Sequence, residues 1–448
     1  MQSSRKVNGL FEKIKTDISL SPAELNILKE HVKIFSKKIE RPLKKINSKI
    51  SIFLGGSLAK GTVIRKKERY DVDLFIIFPE EFKEKSQQIS EILEKALKKT
   101  GEKYQRLNGS RDYFQIKHEN LILELVPIIE IKKSEDAKNI TDISPLHVKY
   151  LLKKIKTNPK LPEEIILTKT FSYAQGVYGA ESYISGFSGY SIEILTSYFD
   201  SFKKLIDFFS EIKLEKKNKE KNKIVIDPEK YYKNKNEILT NINESKLVSP
   251  LILIDPVDKT RNVSAALSFE KFKKFIDVCK KFKKKPNKDY FMLKEKSEQN
   301  LKDRVKKVKS GAKLIKIRVE TKKNKLDVAG AKINKFFNFL LRDLEKKGFK
   351  ILQKENLFNE ETLISNIYII LKNPEKSQIV PGPIIKCDEK FIREFKKKYK
   401  KTFIKNKRYF AKTQNEFSNF EDFFKSFRKK NATFLNLMSI KSLVLEKI

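Results

Sequence analysis

The sequence lacks the features that mark several large protein classes. It contains only two cysteines, Cys279 and Cys387, with no CxxC spacing and no neighbouring histidine. This argues against a disulfide framework and against a cysteine–histidine zinc site, so a metal ion would have to be bound by oxygen. No run approaches the roughly 18 uncharged apolar residues of a membrane span, and the first residues lack the apolar stretch of a secretory signal. We therefore expect a soluble, cytoplasmic protein without a membrane partner.

The chain is instead rich in positive charge. It has 98 lysines and arginines against 57 aspartates and glutamates, a formal net charge of +41. For a folded chain, such a charge favours a polyanionic partner such as nucleic acid. Lysine greatly outnumbers arginine, and with abundant Ile, Asn and Phe this fits a genome biased towards A and T codons. A solvated basic face is therefore an equal alternative for any single lysine run, and the inference depends on the total.

The length and the hydrophobic pattern predict several domains. At 448 residues the chain is long enough for about three domains. Apolar periodicity predicts an α/β unit first, then mainly helices, then strands and a helix in alternation. We expect an α+β multidomain protein with a head over residues 1–150, a central mainly helical domain over 151–285 and a C-terminal α/β region over 286–448.

Two aspartates stand close together in the head, in the predicted strand DVDLFIIF. Side chains two apart in a strand share a face, which places the Cβ atoms of Asp71 and Asp73 about 7 Å apart. Two carboxylates on one face repel each other unless a cation lies between them, and hard oxygen ligands suit Mg²⁺. The alternative is that DVD marks the solvated entry of the strand, with Asp71 still in the preceding turn.

A glycine turn precedes the aspartates. Gly55, Gly56 and Ser57 follow the apolar strand SIFL, so backbone N–H groups and a hydroxyl can meet phosphate oxygens there. Alone, GGS is a commonplace turn. Together with the later DxD it resembles the signature of the DNA polymerase β-like nucleotidyltransferase superfamily, which implies a polymerase β-like head with a mixed sheet and helices. These enzymes usually add a third carboxylate, and Glu124, which interrupts an apolar strand, is the candidate; the alternative is an edge-strand glutamate facing water.

Longer stretches resemble one family of that superfamily, the archaeal-type, class I CCA-adding enzymes. They are GGSLAKGTVIRKKERYDVDLFIIFPEEF, ELVPIIEI, TDISPLHVKYL, GVYGAESYISGFSGYSIEIL and LILIDPVDKTRNVSAALS. The GFSGY and DPVDxxRNV blocks are the most specific. The resemblance implies template-independent addition and repair of the 3′-terminal CCA of tRNA from CTP and ATP, with release of pyrophosphate. A poly(A) or oligoadenylate polymerase, a small-molecule nucleotidyltransferase and a non-catalytic RNA-binding protein are the alternatives.

The resemblance also implies roles for individual residues. The catalytic, metal-binding carboxylates would be Asp71, Asp73 and Glu124, with two Mg²⁺ ions as cofactor. The residues that contact CTP or ATP would be Gly56, Ser57, Lys60, His147 and Arg261. For the last two, the alternatives are a capping or core histidine and a turn arginine paired with Asp255 or Asp258.

This chain departs from the family pattern beside GVYGAE. The family carries a lysine and a tyrosine that touch the nucleotide, whereas Tyr173 and Ser182 stand at the positions where we expect them. Triphosphate affinity is the property that this departure puts in doubt. The resemblance leaves a homodimer open.

The C-terminal region contains a basic segment with interleaved aromatic residues. FIREFKKKYKKTFIKNKRYFAK, residues 391–412, carries many lysines and arginines and a single glutamate. This pattern predicts contacts along the phosphates of an RNA helix, which would be recognised by its shape and not by its sequence. We therefore expect this region to bind tRNA, whose acceptor arm and 3′ end are the substrate. The alternative is an amphipathic helix with a lysine-rich water face.

Overall fold

The computed structural model describes residues 2–65, 70–119, 121–215, 223–293, 302–303, 311–322 and 325–446. The chain forms two compact units, residues 1–294 and 295–448. Among the described residues, no helix is long and apolar enough to span a membrane.

The first part of the first unit is a mixed sheet with helices. Its elements are α1 (Gln2–Ile18), α2 (Pro22–Lys44), β1 (Ser51–Leu54), α3 (Gly56–Lys60), β2 (Tyr70–Phe78), α4 (Ile89–Lys98), β3 (Tyr104–Leu107), β4 (Tyr113–His118) and β5 (Leu121–Ile129). The strand order is β1-β2-β5-β4-β3. Strands β2 and β5 are parallel, and the other neighbours are antiparallel. The strands predicted around the glycine turn are therefore confirmed.

Alternation along β2 separates the core from the site. Val72, Leu74 and Ile76 are buried in a core that also contains the apolar stripe of α2 and residues of α4. Because successive side chains of a strand point to opposite faces, Asp71 and Asp73 lie on the other face of the sheet. Helix α2 begins at a capping box, in which Ser21 and Glu24 satisfy each other's backbone N–H groups. Core and site thus use alternate residues of one strand.

The rest of the first unit is mainly helical. Its elements are α5 (Ser144–Thr157), α6 (Leu161–Ala174), α7 (Gly189–Phe199), α8 (Phe202–Glu211), β6 (Ile224–Ile226), α9 (Lys235–Asn241), β7 (Leu251–Leu253) and α10 (Phe269–Lys284). A second core, rich in phenylalanine, joins helices α5, α6, α7, α8 and α10. Helix α9 packs in a smaller cluster with Ile252 and Ile254. Helix α1 contributes Phe11 and Ile14 to this helical core. The domain boundaries expected at residues 150 and 285 stay predictions.

The second unit combines two antiparallel sheets with helices. Its elements are β8 (Ala312–Thr321), α11 (Leu326–Lys346), β9 (Lys350–Asn359), β10 (Ile364–Lys372), β11 (Ser377–Ile384), α12 (Glu389–Lys398), β12 (Thr402–Lys405), β13 (Arg408–Gln414), α13 (Phe420–Lys430), α14 (Ala432–Leu437) and β14 (Ile440–Glu446). One sheet has the order β14-β8-β10-β9 and the other β11-β13-β12. Residues of α11 and α13 pack on the larger sheet. The predicted α+β class is confirmed, and the basic segment forms a helix and two strands.

Candidate active site

A cavity of about 490 Å³ lies in the first unit, beside the glycine turn and strand β2. Five of the predicted site residues line it: Gly56, Ser57, Lys60, Asp71 and Asp73. Helices α6 and α7 and the segment between them contribute further lining residues, among which are Lys169, Tyr178, Tyr190 and Glu193. The sheet part and the helical part thus share this cavity.

The glycine turn fits closely against Asp73. The Gly55 N–H donates a hydrogen bond of 2.8 Å to the Asp73 carbonyl oxygen. Gly56 has φ of +59°, and a Cβ atom at this position would lie 1.8 Å from Asp73 Oδ2. Both the left-handed backbone and the contact therefore require glycine. Helix α3 begins at Gly56, and its residues Ser57 and Lys60 line the cavity.

Asp71 and Asp73 line the cavity together. Burial raises the pKa of Asp73; the Lys60 ammonium opposes this rise, and the neighbouring charge of Asp71 adds to it. Two carboxylates in a partly buried site disfavour a second negative charge, and a divalent cation between them would relieve that cost. As donors, these two aspartates fit such an ion.

Glu124 lies on the next strand, directly opposite Asp73 in the β2–β5 register. Its Oε1 accepts a hydrogen bond of 3.2 Å from Gln115 Nε2. Burial raises the pKa of Tyr113, and the charges of Glu124 and Asp73 add to the effect. In the described part of the chain, no three acidic, histidine or cysteine side chains converge closely enough to hold a metal ion. Glu124 has the expected position in the sheet, and its role as third ligand stays a prediction.

A cluster of buried charges forms one wall of the cavity. In this Glu193 cluster, Lys60 Nζ lies 2.6 Å from Glu193 Oε2 and Lys169 Nζ lies 2.7 Å from Oε1, to which Thr62 Oγ1 also donates at 2.9 Å. Burial of Glu193 would raise its pKa, but the two ammonium groups outweigh burial and lower the pKa to about 2. The cluster therefore carries a net charge of one positive unit beside the two aspartates.

Two members of this cluster, Lys169 and Glu193, were not predicted from the sequence. The family's lysine before GVYGAE was expected at position 173, where this chain has a tyrosine, whereas Lys169 lines the cavity from one turn earlier on α6. Glu193 interrupts the apolar run of α7. Each is a charged residue within an apolar helical segment, which is the signal that singled out Glu124 in its strand.

The other two predicted residues meet in a second cluster. In this Asp255 cluster, His147 Nε2 lies 3.0 Å and Arg261 Nη1 lies 2.8 Å from Asp255 Oδ2, while the Tyr190 hydroxyl donates to Oδ1 at 3.1 Å. The rings of His147 and Tyr190 are 4.2 Å apart. Burial of Asp255 would raise its pKa, but the hydrogen bond from His147 and the charge of Arg261 outweigh burial and lower it.

Tyr190 connects this cluster to the cavity. It lines the cavity, whereas His147 and Arg261 lie behind it. The pairing of Arg261 with Asp255, weighed above as an alternative to nucleotide contact, is present in the structure.

The mixed sheet, the glycine turn and the paired aspartates together define a nucleotidyltransferase. Two family models match: "Second Messenger Oligonucleotide or Dinucleotide Synthetase domain" over residues 6–145 and "tRNA nucleotidyltransferase, second domain" over residues 163–292. A solved structure of Cid1 in complex with its short product ApU superposes with a TM-score of 0.50 at 12% identity, covering 66% of this chain and 100% of that one. This last likeness concerns the fold alone.

Curated relatives identify the family. The CCA-adding enzyme of Nanoarchaeum equitans is 36% identical over 300 residues, which are 67% of this chain and 68% of the relative. The CCA-adding enzyme of Methanocaldococcus jannaschii is 29% identical over 385 residues, 84% and 80% of the two chains. That of Pyrococcus abyssi is 31% identical over 310 residues, 68% and 65%. The chain belongs to the archaeal, class I family of CCA-adding enzymes, whose superfamily generally uses a divalent metal ion, and the predicted resemblance is confirmed.

Proposed function

We propose that CTP and ATP are joined in turn to the 3′ end of tRNA in the cavity beside Asp71 and Asp73, with release of pyrophosphate and without a template strand. The observation that carries this proposal is the lining of the cavity. Two carboxylates and the two ammonium groups of Lys60 and Lys169 face one space of about 490 Å³. An in-line displacement on a triphosphate needs both kinds of charge, one to bind metal and the other to bind phosphate.

Asp71 and Asp73 would hold Mg²⁺, with Glu124 as the third carboxylate and two ions in the complete site. When bound, Mg²⁺ would activate the tRNA 3′-hydroxyl and stabilise the charge of the departing pyrophosphate. The Asp73 carboxylate occupies the space that a Cβ atom at position 56 would fill, so the backbone at Gly56 limits the positions open to that carboxylate.

Lys60 and Lys169 would bind the triphosphate, together with the Ser57 hydroxyl and the backbone at Gly56. Lys60 presents a point charge and not the bidentate fork of an arginine. Both lysines are paired with Glu193, so phosphate oxygens share these ammonium groups with a carboxylate already in place. Glu193 is a positioning residue in this scheme, because it orients both donors.

Arg261 and His147 would contribute to the choice between C and A. Their common partner Asp255 holds them behind Tyr190, which reaches the cavity. The basic second unit would hold tRNA through its phosphates. In our proposal this reaction takes place in the cytoplasm. The proposed site is formed within one chain, so it is compatible with a monomer and with a homodimer.

The test offers radiolabelled CTP and ATP, with Mg²⁺, to tRNAs that end before, within and after CCA. We expect CTP to enter first, then a single ATP, and then no further addition. Continued addition of A without CTP would identify a poly(A)-type polymerase and contradict the proposal.

An Asp73→Asn variant tests the site itself. Loss of one metal-binding carboxylate should lower the rate by at least about a thousandfold, since metal binding supplies several kcal/mol to such a transition state. Asp207→Asn, which removes an exposed carboxylate of the same unit, is the matched control. Equal rates for the two variants would contradict the assignment.

A further inference from the structure

The three-stranded sheet of the second unit has two unlike faces. Helix α12 packs against part of one face: a Cβ atom on Gly382 would lie 2.6 Å from the Phe395 ring, and Lys396 Nζ lies 5.0 Å from the centre of the Tyr409 ring. Ile404, which pairs with Tyr409 on this face, remains 55% exposed. Ala411 is fully buried on this side. The helix thus provides the small hydrophobic contact that this sheet needs.

The opposite face carries large apolar side chains that remain exposed. The register pairs Phe410 with both Phe403 and Pro381, and Lys412 with Ile379, so these residues share one face. Phe403 is 40% exposed and Ile379 is 60% exposed. The rings of Phe403 and Phe410 are nearly parallel, with centroids 5.8 Å apart and an interplanar angle of 22°. The two rings therefore stack on each other on this face, with Phe403 the more exposed of the pair.

Positive charge surrounds these two rings. Lys405, Arg408 and Lys412 lie on the same face by strand alternation, and all three are exposed. None of the described residues that the register places on this face is acidic. We define the open sheet face by seven residues, which are Ile379, Pro381, Phe403, Lys405, Arg408, Phe410 and Lys412.

Aromatic rings and cations on one sheet face match the chemistry of unpaired nucleotides. Bases that are not in a duplex stack on Phe rings, and Lys and Arg hold the adjacent phosphates. A duplex hides its bases and offers such rings no stacking partner. An acidic protein partner would match the positive charges but would not explain the two parallel rings.

We propose that the open sheet face binds unpaired nucleotides of the tRNA substrate, with bases stacked on Phe403 and Phe410 and phosphates at Lys405, Arg408 and Lys412. The identification of this RNA as tRNA rests on the proposed function. The basic segment would then bind RNA in two ways, through contacts with phosphates and through stacking of bases on aromatic rings.

The chain contains no tryptophan, which allows a direct test. Phe403→Trp places a single fluorophore on the open sheet face, and Phe391→Trp places one on α12, at a position that is 55% exposed, as the matched control. Each variant of the full chain is titrated with a single-stranded oligouridylate, a blunt-ended, fully paired RNA duplex of two separate strands and inorganic polyphosphate. We expect the oligouridylate to quench the fluorescence of the Phe403→Trp variant by about twofold or more, through stacking, and the other two ligands to quench it little. Equal quenching by polyphosphate, or equal quenching in the Phe391→Trp variant, would overturn the proposal.

Affinity provides the second measurement. Phe403→Leu should weaken oligouridylate binding by about tenfold, whereas Phe403→Tyr, which keeps the ring, should bind like the wild type. Phe391→Leu should cause no loss. Self-association or binding to anionic lipid vesicles that depends on Phe403, without this effect on RNA, would overturn the proposal. CCA addition by the wild-type chain is measured separately. Absence of this activity would contradict the proposed function. Normal CCA addition without base stacking on Phe403 would contradict only the proposal for the open sheet face.

Discussion

The Glu193 and Asp255 clusters of the first unit have a similar composition but differ in how far their basic side chains are exposed. Each uses one buried carboxylate to hold two basic side chains near the cavity. In the Glu193 cluster every charged group is buried, and the Glu193 side chain is only 2% exposed. In the Asp255 cluster the acid is fully buried, but the Arg261 side chain remains 32% exposed.

This difference matches the tasks that we propose for the clusters. The triphosphate is the same in CTP and ATP, so fixed donors serve it well, and burial on all sides fixes Lys60 and Lys169. The two bases differ, so a group that helps to choose between them needs some freedom. In our proposal, Arg261 keeps one contact with Asp255 while its partly exposed guanidinium turns towards the base.

Removal of the acid should have the largest effect in the fully buried cluster. Glu193→Gln leaves two buried ammonium groups without their counter-charge, and we expect the free energy of unfolding to fall by about 3–5 kcal/mol. Urea denaturation measures this loss. Glu40→Gln, which removes one partner of an exposed helix pair in the same unit, should change stability little. A loss no larger than that of the control would remove the basis of the comparison.

The same cluster should show its contribution in the pH dependence of stability. The folded-state pKa of Glu193 is lowered from 4.5 to about 2, so its stabilisation is complete above pH 4.5 and is lost as the pH falls towards 2. The stability difference between the wild type and Glu193→Gln should therefore shrink by about 3 kcal/mol over this interval. Denaturation curves at several pH values measure it, and a difference that grows with acid would contradict the assigned direction.

Removal of the acid from the Asp255 cluster should cost less. Asp255→Asn weakens the contacts with His147 and Arg261, but the partly exposed arginine can turn to water, so we expect a loss of about 2 kcal/mol. The amide still accepts a bond from the Val257 N–H, which preserves the turn. A loss equal to that of Glu193→Gln would show that exposure of one partner does not matter here.

A milder change at Arg261 should act on nucleotide binding and not on folding. Arg261→Lys keeps the charge beside Asp255 but loses the planar fork, so we expect KM for CTP and ATP to rise by about tenfold, with a changed ratio between the two and kcat nearly constant. Steady-state kinetics with each nucleotide test this. Lys259→Arg, at an exposed position in the same turn, is the control, and equal effects would contradict a specific role for Arg261.

The smallest effect is expected at Tyr173. Its side chain is exposed and contacts the Tyr178 ring edge-on, at 6.1 Å between centroids. Because Lys169 already lines the cavity, Tyr173→Phe should change nucleotide affinity by less than about twofold. Titration with CTP measures it, and a large loss would mean that the family's missing lysine has its substitute at position 173.

The sequence allowed the part of the site that is local along the chain to be predicted. Strand alternation placed Asp71 and Asp73 on one face, and the glycine turn was found from its spacing to them. Lys60 was predicted, but its partner Glu193 is 133 residues away, and no local pattern links the two. Asp255 was considered only as a turn partner of Arg261, and its contact with His147 required the fold. The place of α1 was not predicted either, because its Phe11 packs against Phe202 and Phe282, far along the chain.

The contact between Gly56 and Asp73 has a practical consequence. A single methyl group at position 56 would occupy the space of Asp73 Oδ2, so Gly56→Ala displaces a carboxylate without adding or removing charge. The long-range electrostatic attraction for a polyanion would then be unaltered in a protein whose reactive centre is sterically distorted. The Gly56→Ala variant would thus separate substrate binding from the chemical step, because it changes only the geometry of the reactive centre.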